Sequence, residues 1–176
     1  GEWSKCPDYS MTLSPIFQLS GKSIGIIGYG NIGKRVGQIA EAFGMKVCPY
    51  SRDPEGALSA DIISVHCPAT SENKGFINKE FISKLKDGAF LINTARGTLI
   101  NEADLISSLK SGKLSGAAID VVSKEPMEPG SPLLGIPNLI ITPHIAFASK
   151  EARETVCSTS AANLKAFLSG EILNRL

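Results

Sequence analysis

The hexad Gly28-Tyr29-Gly30-Asn31-Ile32-Gly33 carries the most specific chemistry in this sequence. It follows an apolar run, Ser23 to Ile27, and opens a helical pattern, the setting in which glycines at this spacing cradle a dinucleotide pyrophosphate. Gly28 permits a tight turn, Gly30 has no side chain to block the phosphates, and Gly33 lets the helix pack close to the strand. The helix start at Asn31 and Ile32 presents unpaired N–H groups and partial positive charge to an anion. The alternative, a plain glycine turn, is disfavoured by the strand before it and the helix after it. About 20 positions further on, where an acidic residue would hydrogen-bond the adenosine ribose, this sequence has Ser51-Arg52. A hydroxyl followed by a guanidinium suits a 2′-phosphate, which favours NADP over NAD. The other reading is that Arg52 is a solvated surface residue and Asp53 supplies the ribose contact.

Three more reactive side chains, Arg96, Glu125 and His144, lie just beyond expected strand ends, where open parallel sheets place their ligands. Singly, each has an ordinary reading as a strand-end arginine, a loop carboxylate or a packed histidine. Together, a guanidinium can fork onto a carboxylate, a histidine can give or take a proton near neutral pH, and a carboxylate nearby stabilises imidazolium. His66, the other histidine, sits between Val65 and Cys67 and is read as structural.

The elements that must position these groups alternate. Short β-branched runs at Ser23–Ile27, Lys46–Tyr50, Asp61–His66, Ala89–Asn93, Gly116–Val121 and Leu139–Thr142 are separated by helical patterns. The expected class is α/β, a Rossmann-type doubly wound parallel sheet. The first helix, from about Ile32 to Phe43, places Ile32, Val36, Ile39, Ala40 and Phe43 on one stripe and stops at Gly44. Asn78 and Asn101 are candidate caps for two further helices, ending near Gly88 and Gly112. A last helix, from about Ser149 to Leu168, carries Val156, Ala161, Leu164 and Leu168 on one side. Pro49 removes a ladder donor late in the second strand.

Bulk properties exclude other classes. Of 176 residues, 43% are apolar, enough for one domain with a sizeable core. The net charge of +1 gives no field for nucleic acid or an anionic membrane, so small molecules or proteins are the expected partners. The four cysteines are scattered without a C-x-x-C pair, and no metal site is read. No apolar run approaches the roughly 18 residues of a membrane span, and no apolar signal segment opens the sequence. A soluble, cytoplasmic protein is expected.

Asn93-Thr94-Ala95-Arg96-Gly97, Ile119-Asp120-Val121 leading to Lys124-Glu125-Pro126, and Thr142-Pro143-His144-Ile145-Ala146 follow the glycine hexad and His66-Cys67-Pro68 in order. Together they resemble the D-isomer-specific 2-hydroxyacid dehydrogenases over nearly the whole chain, most closely the glycerate dehydrogenase, or hydroxypyruvate reductase, subgroup. The resemblance implies that Arg96 holds a substrate carboxylate, that His144 is the acid/base, and that Glu125 is its partner. It also implies that Asp120 hydrogen-bonds the nicotinamide carboxamide, while Cys67, Pro68, Thr94 and His144 border the cofactor. Asp120 capping a loop is the alternative. The expected partners are NAD or NADP, a small 2-keto or 2-hydroxy acid, and a second copy of the full-length protein in a homodimer. A rival reading is a cofactor-sensing regulator resembling the C-terminal-binding corepressors; a nucleotide-gated transporter domain, which needs no Arg96, Glu125 and His144 set, ranks lower.

Two departures qualify the resemblance. The family has a substrate-binding domain, so residues 1–20 are expected to be a connector from it, 21–148 the dinucleotide-binding domain and 149–176 a helix crossing back. With the active site half-built, little turnover is expected from this chain alone. In addition, only residues 53–60 link Arg52 to Asp61, where the family has a strand and a helix. Either an edge strand is deleted or a loop is omitted, and one tight connection is not expected to serve as the crossover.

Overall fold

Six strands form where the short apolar runs lie: β1 (Ser23–Ile27), β2 (Lys46–Pro49), β3 (Ile62–Val65), β4 (Ala89–Asn93), β5 (Leu114–Ile119) and β6 (Leu139–Ile141). They pair in parallel in the order β2-β1-β3-β4-β5-β6. This computed structural model describes residues 1–174; the last two residues of the C-terminal segment 149–176 lie outside the described residues. The expected doubly wound parallel sheet is therefore present. The chain leaves β1 first toward β2 and then returns past it to β3, so a crevice opens at the carboxyl ends of β1 and β3. β5 runs two residues earlier than the sequence pattern placed it. Pro49 is harmless because it is the last residue of an edge strand.

Helices α1 (Asn31–Ala42), α2 (Pro54–Leu58), α3 (Lys79–Ser83), α4 (Glu102–Ser111) and α5 (Lys150–Leu168) connect or follow the strands. Asn78, Asn101 and Ser149 cap α3, α4 and α5, each side chain accepting a backbone N–H three residues on. α1 covers one face of the sheet over Ile24, Ile26 and Met45, and α2, α3 and α4 cover the other around Ile63, Ile82, Leu91 and Leu105.

The stripe expected on α1 is corrected. Gly33, Gly37 and Ala40 are buried with Val36 beside them, whereas Ile32, Ile39 and Phe43 are exposed. A Cβ at Gly33 would meet the Gly28 carbonyl oxygen at 2.1 Å, so α1 lies on β1 through small residues and its larger ones face outward. On α5 the expected apolar side is likewise uncovered: Val156, Leu164 and Leu168 are exposed and only Ala166 is buried. The α1 face of the sheet beyond β3 is open too, leaving Phe90 42% and Ile140 67% exposed.

The short link is also corrected. Residues 53–60 neither form a loose loop nor fail as a crossover: α2 is a single turn that carries the chain from β2 over β1 to β3. It fits because Gly25 of β1 has no Cβ; one placed there would come within 2.4 Å of the Ala57 carbonyl oxygen. Among the described residues β2 is the edge of the sheet on this side.

At the amino ends of the strands, Asp61 pins β1 to β3. Its Oδ2 accepts from Ser23 N–H at 2.8 Å and from Ser23 Oγ at 2.9 Å, and its Oδ1 accepts from Lys86 Nζ at 2.7 Å. The Lys86 bond, with those of Ser23, holds this carboxyl well below the usual carboxylate range against a modest cost of burial. A depressed folded pKa contributes stability above the unfolded value of about 3.9 and loses it as pH falls toward the folded value. Asp61→Asn is expected to lower unfolding free energy by about 1–3 kcal/mol at pH 7. Urea titrations at neutral and acid pH should show that gap closing below about pH 4.

Candidate active site

The glycine hexad forms the turn expected of it. Gly28 has φ 94°, and a Cβ there would approach the Cys67 nitrogen at 2.4 Å, so only glycine permits this turn against the end of β3. Gly30 is the N-cap of α1, provides no side-chain cap and faces open space where its Cβ would project. The first intrahelical bond runs from Lys34 N–H to the Gly30 carbonyl, which leaves the N–H groups of Asn31, Ile32 and Gly33 for a ligand. This uncapped, unobstructed helix start fits a dinucleotide pyrophosphate.

A cleft of about 980 Å³ opens beside this turn. Ile32 and Val36 of α1, the His66-Cys67-Pro68 segment after β3, Thr94 and Arg96 after β4, Asp120 after β5 and His144 after β6 all border it. Residues from four strand ends thus converge on one space, as the crevice requires. Ser51 and Arg52 do not line it. They occupy an exposed turn after β2, where the Arg52 guanidinium stacks over the Tyr29 ring at 5.4 Å. Asp53 is engaged elsewhere, accepting the Gly56 N–H at 2.9 Å as the cap of α2.

His144 and Glu125 meet. Nδ1 of the imidazole lies 2.7 Å from Glu125 Oε2, while Glu125 Oε1 accepts the Val122 N–H at 3.0 Å. The His144 hydrogen bond holds Glu125 below the usual carboxylate range, helped by Val122 and by the charges of His144 and Arg96, with partial burial opposing. An ionised Glu125 accepts from Nδ1–H and leaves Nε2 as the imidazole nitrogen open to a substrate. Phe147 meets the imidazole edge-on, with ring centroids 5.8 Å apart. A second, more apolar cleft of about 590 Å³ shares Asp120 and His144 and adds Glu125, Met127 and Leu134.

The backbone that carries His144 is itself unusual. His144 has φ 54°, in the left-handed region that costs a non-glycine residue about 1–3 kcal/mol. Its N–H bonds to the Asp120 and Thr142 carbonyls at 2.8 and 3.0 Å. The Asp120 carboxylate grips both sides of it, accepting from Thr142 Oγ1 at 2.5 Å, Ile145 N–H at 2.9 Å and Ala146 N–H at 2.9 Å. Of the two sequence readings of Asp120, the geometry therefore supplies the loop cap. A carboxylate has about four acceptor positions, so a cofactor contact is compatible with these three bonds. They hold Asp120 below the usual carboxylate range, with burial opposing.

Two positioning residues were not singled out by sequence reasoning. Asn93, fully buried at the end of β4, donates to the Arg96 carbonyl at 2.9 Å and accepts from the Ala95 N–H at 3.0 Å, fixing the turn that presents Arg96. Gly97 lets the Val122–Ser123 backbone pass, since a Cβ there would lie 2.0 Å from Val122. An asparagine closing an apolar strand, followed by glycine, is the signal that could have found them. Among the described residues no cluster of His, Cys, Asp and Glu is arranged to hold a metal ion, and no helix is long and apolar enough to cross a membrane.

Comparison with known proteins shows the family to which the chain belongs. The family model described as "D-isomer specific 2-hydroxyacid dehydrogenase, NAD binding domain" matches residues 1–146. A hydroxypyruvate reductase of Blautia hydrogenotrophica is 43% identical, the alignment covering 99% of this chain and 59% of that protein. A glycerate dehydrogenase of Methylorubrum extorquens is 41% identical over the same shares. Among solved structures, the TT0316 protein of Thermus thermophilus superposes with a TM-score of 0.86 at 35% identity, covering 97% of this chain and 59% of that one. The chain thus spans about three-fifths of the length of the relatives it matches. The alignment with the Blautia protein runs over 189 positions against the 176 residues here, so that relative has residues without a counterpart in this chain.

Proposed function

Because this chain belongs to the D-isomer-specific 2-hydroxyacid dehydrogenases, as their NAD-binding domain, we propose that the protein reduces a small 2-keto acid such as hydroxypyruvate or glyoxylate to the 2-hydroxy acid. The observation that carries the proposal is the bond from ionised Glu125 to Nδ1 of His144, which borders the same cleft as Arg96. A bound reduced nicotinamide dinucleotide supplies the hydride. Gly28, Gly30 and Gly33 with the Asn31 and Ile32 N–H groups would seat its pyrophosphate, and Cys67, Pro68 and Thr94 would line its cleft. Arg96 pairs with the substrate carboxylate and polarises the neighbouring carbonyl. His144 gives its Nε2 proton to the carbonyl oxygen as hydride reaches the carbon, and Glu125 stabilises the imidazolium from which that proton leaves. Asp120 holds the His144 loop and would accept from the nicotinamide carboxamide with its remaining capacity.

Residues 21–148 are then the cofactor domain, residues 1–20 a connector, and 149–176 a helix crossing to a substrate-binding domain. The uncovered sides of α5 and of β4 and β6 support that division. Trp3, Tyr9, Leu13, Ile16 and Phe17 are exposed along residues 1–20, which suits burial against a second copy in a homodimer. The four free thiols suit a reducing cytoplasm.

NADP is the preferred cofactor in this reading, because Arg52 stands beside the glycine turn and Asp53 is committed to capping α2. Hydroxypyruvate-dependent oxidation of NADPH and NADH, measured with this domain joined to the proposed substrate-binding half, tests both parts of the proposal. Arg52→Ala is expected to lower the NADPH-over-NADH preference about tenfold, the loss of one charge-assisted pairing of about 1.4 kcal/mol. An unchanged ratio would assign Arg52 to the surface, and failure of every small 2-keto acid to support oxidation would contradict the function.

A further inference from the structure

His66 was expected to be structural, yet it borders the cofactor cleft. Its position follows from strand geometry. Ile62, Ser64 and His66 alternate onto the face that α1 covers, and Ser64 pairs with Ile26 and Ile92 inside the sheet. The His66 backbone is anchored by its N–H to the Ile27 carbonyl at 2.7 Å, directly behind the glycine turn. The ring therefore lies between the start of α1, marked by Ile32 and Val36, and the Thr94–Arg96 and His144 side of the cleft.

The ring has one partner in the protein. Ser64 Oγ lies 2.8 Å from His66 Nε2, and Ser64 is only 3% exposed. No other group among the described residues bonds to that hydroxyl. If Nε2 carried the proton, the buried Ser64 hydroxyl would accept from it and its own hydrogen would have no acceptor, a costly arrangement for a group removed from water. If Ser64 donates to Nε2 instead, both groups are satisfied and the imidazole proton resides on Nδ1. Every buried side-chain nitrogen and oxygen among the described residues has a partner. Nδ1 has none in the protein, so it opens to solvent. Burial lowers the histidine's proton affinity, in keeping with a neutral ring.

We propose that Ser64 and His66 form a donor pair in which Ser64 fixes the neutral Nδ1–H tautomer, and that this N–H donates to an oxygen on the nicotinamide half of the bound dinucleotide. The inference rests on the cofactor reading above. A neutral donor is suited to this place: the adjoining start of α1 already carries partial positive charge, which would oppose an imidazolium but not an N–H dipole. His66 is then a cofactor-binding residue and Ser64 a positioning residue that acts through it.

The two halves of the proposal have separate tests. Long-range proton–nitrogen spectra of the imidazole at neutral pH should show His66 protonated on Nδ1 in the free protein, and Ser64→Ala should shift it toward Nε2. A wild-type ring protonated on Nε2 would overturn the pair. Titration with NADH, and with AMP as the adenosine half alone, tests the contact. Ser64→Ala and His66→Phe are expected to weaken NADH binding about 5-fold to 10-fold, the value of one net hydrogen bond, with AMP affinity unchanged. His66→Asn, whose amide N–H can take the place of Nδ1–H, should restore most of the NADH affinity; a structural role alone would not give that rescue. NADH binding that is insensitive to all three variants would overturn the contact and leave the cofactor reading intact. No NADH binding by the wild-type chain would overturn that reading and the contact with it.

Discussion

Replacing His144 with alanine is expected to lower kcat/KM for 2-keto acid reduction by about 10²-fold to 10⁴-fold, the usual value of a positioned proton donor. The measurement belongs on this domain joined to the proposed substrate-binding half. Cofactor affinity should change far less than turnover, because the glycine turn that seats the pyrophosphate is untouched. The expectation follows from the Glu125 contact, which orients the ring and leaves Nε2 as the proton carrier. Without the imidazole, an alkoxide forming at the substrate carbon loses its positioned proton source, since in this account the His66 N–H serves the cofactor and Arg96 does not release its proton. Wild-type turnover in His144→Ala would remove the catalytic assignment of the whole set.

The second large effect is on binding. Gly30→Asp should weaken NADH and NADPH binding by about 100-fold or more, a loss of at least about 2.7 kcal/mol, while leaving the melting temperature level or slightly raised. Gly30 has φ −80°, which any residue adopts, and its Cβ direction is open, so the fold tolerates the change. Aspartate is also a better N-cap than glycine by a few tenths of a kcal/mol. The new carboxylate would accept the N–H groups that the phosphates need and place a negative charge where the pyrophosphate sits. A stable variant that binds cofactor normally would show that the dinucleotide lies elsewhere. Calorimetric titration with scanning calorimetry reads both outcomes.

Much of the scaffold was legible because its signals are local. β1, buried on both faces, and β4, covered on one, are both continuous apolar runs and fall within the expected bounds. Asn78, Asn101 and Ser149 are caps whose bonds span only three residues, and Gly44 and Gly112 adopt positive φ as helix stops. The α1 stripe was misplaced because hydrophobic periodicity weighs isoleucine and phenylalanine, whereas the buried row is largely glycine and alanine. α2 is five residues long, below what a periodic pattern can reveal, and its fit depends on Gly25, far away in sequence.

The site divides the same way. Arg96, His144 and Glu125 could be identified by type and by position after strands, but the Nδ1 contact joins residues 19 apart. Both roles of Asp120 were open in the sequence, because the donors that occupy its carboxylate lie on the loop after β6 and become neighbours only when β5 and β6 pair. Ser64 and His66 were closer to legible: a serine two residues before a strand-end histidine shares its face of the sheet. What the pattern lacks is the burial that makes Ser64 a donor. The corepressor-like alternative is not favoured, since the relatives named above are a hydroxypyruvate reductase and a glycerate dehydrogenase.

The most direct test of the account is a titration of the isotope-labelled chain with NADPH and NADH, following each backbone amide. Saturable shifts should be largest at Gly30 through Gly33, His66, Cys67 and Thr94, with smaller ones at Ile145 and Ala146, and NADPH should also move Arg52. Absence of saturable shifts there, or shifts confined to Met127 and Leu134 in the second cleft, would contradict a dinucleotide site at the glycine turn.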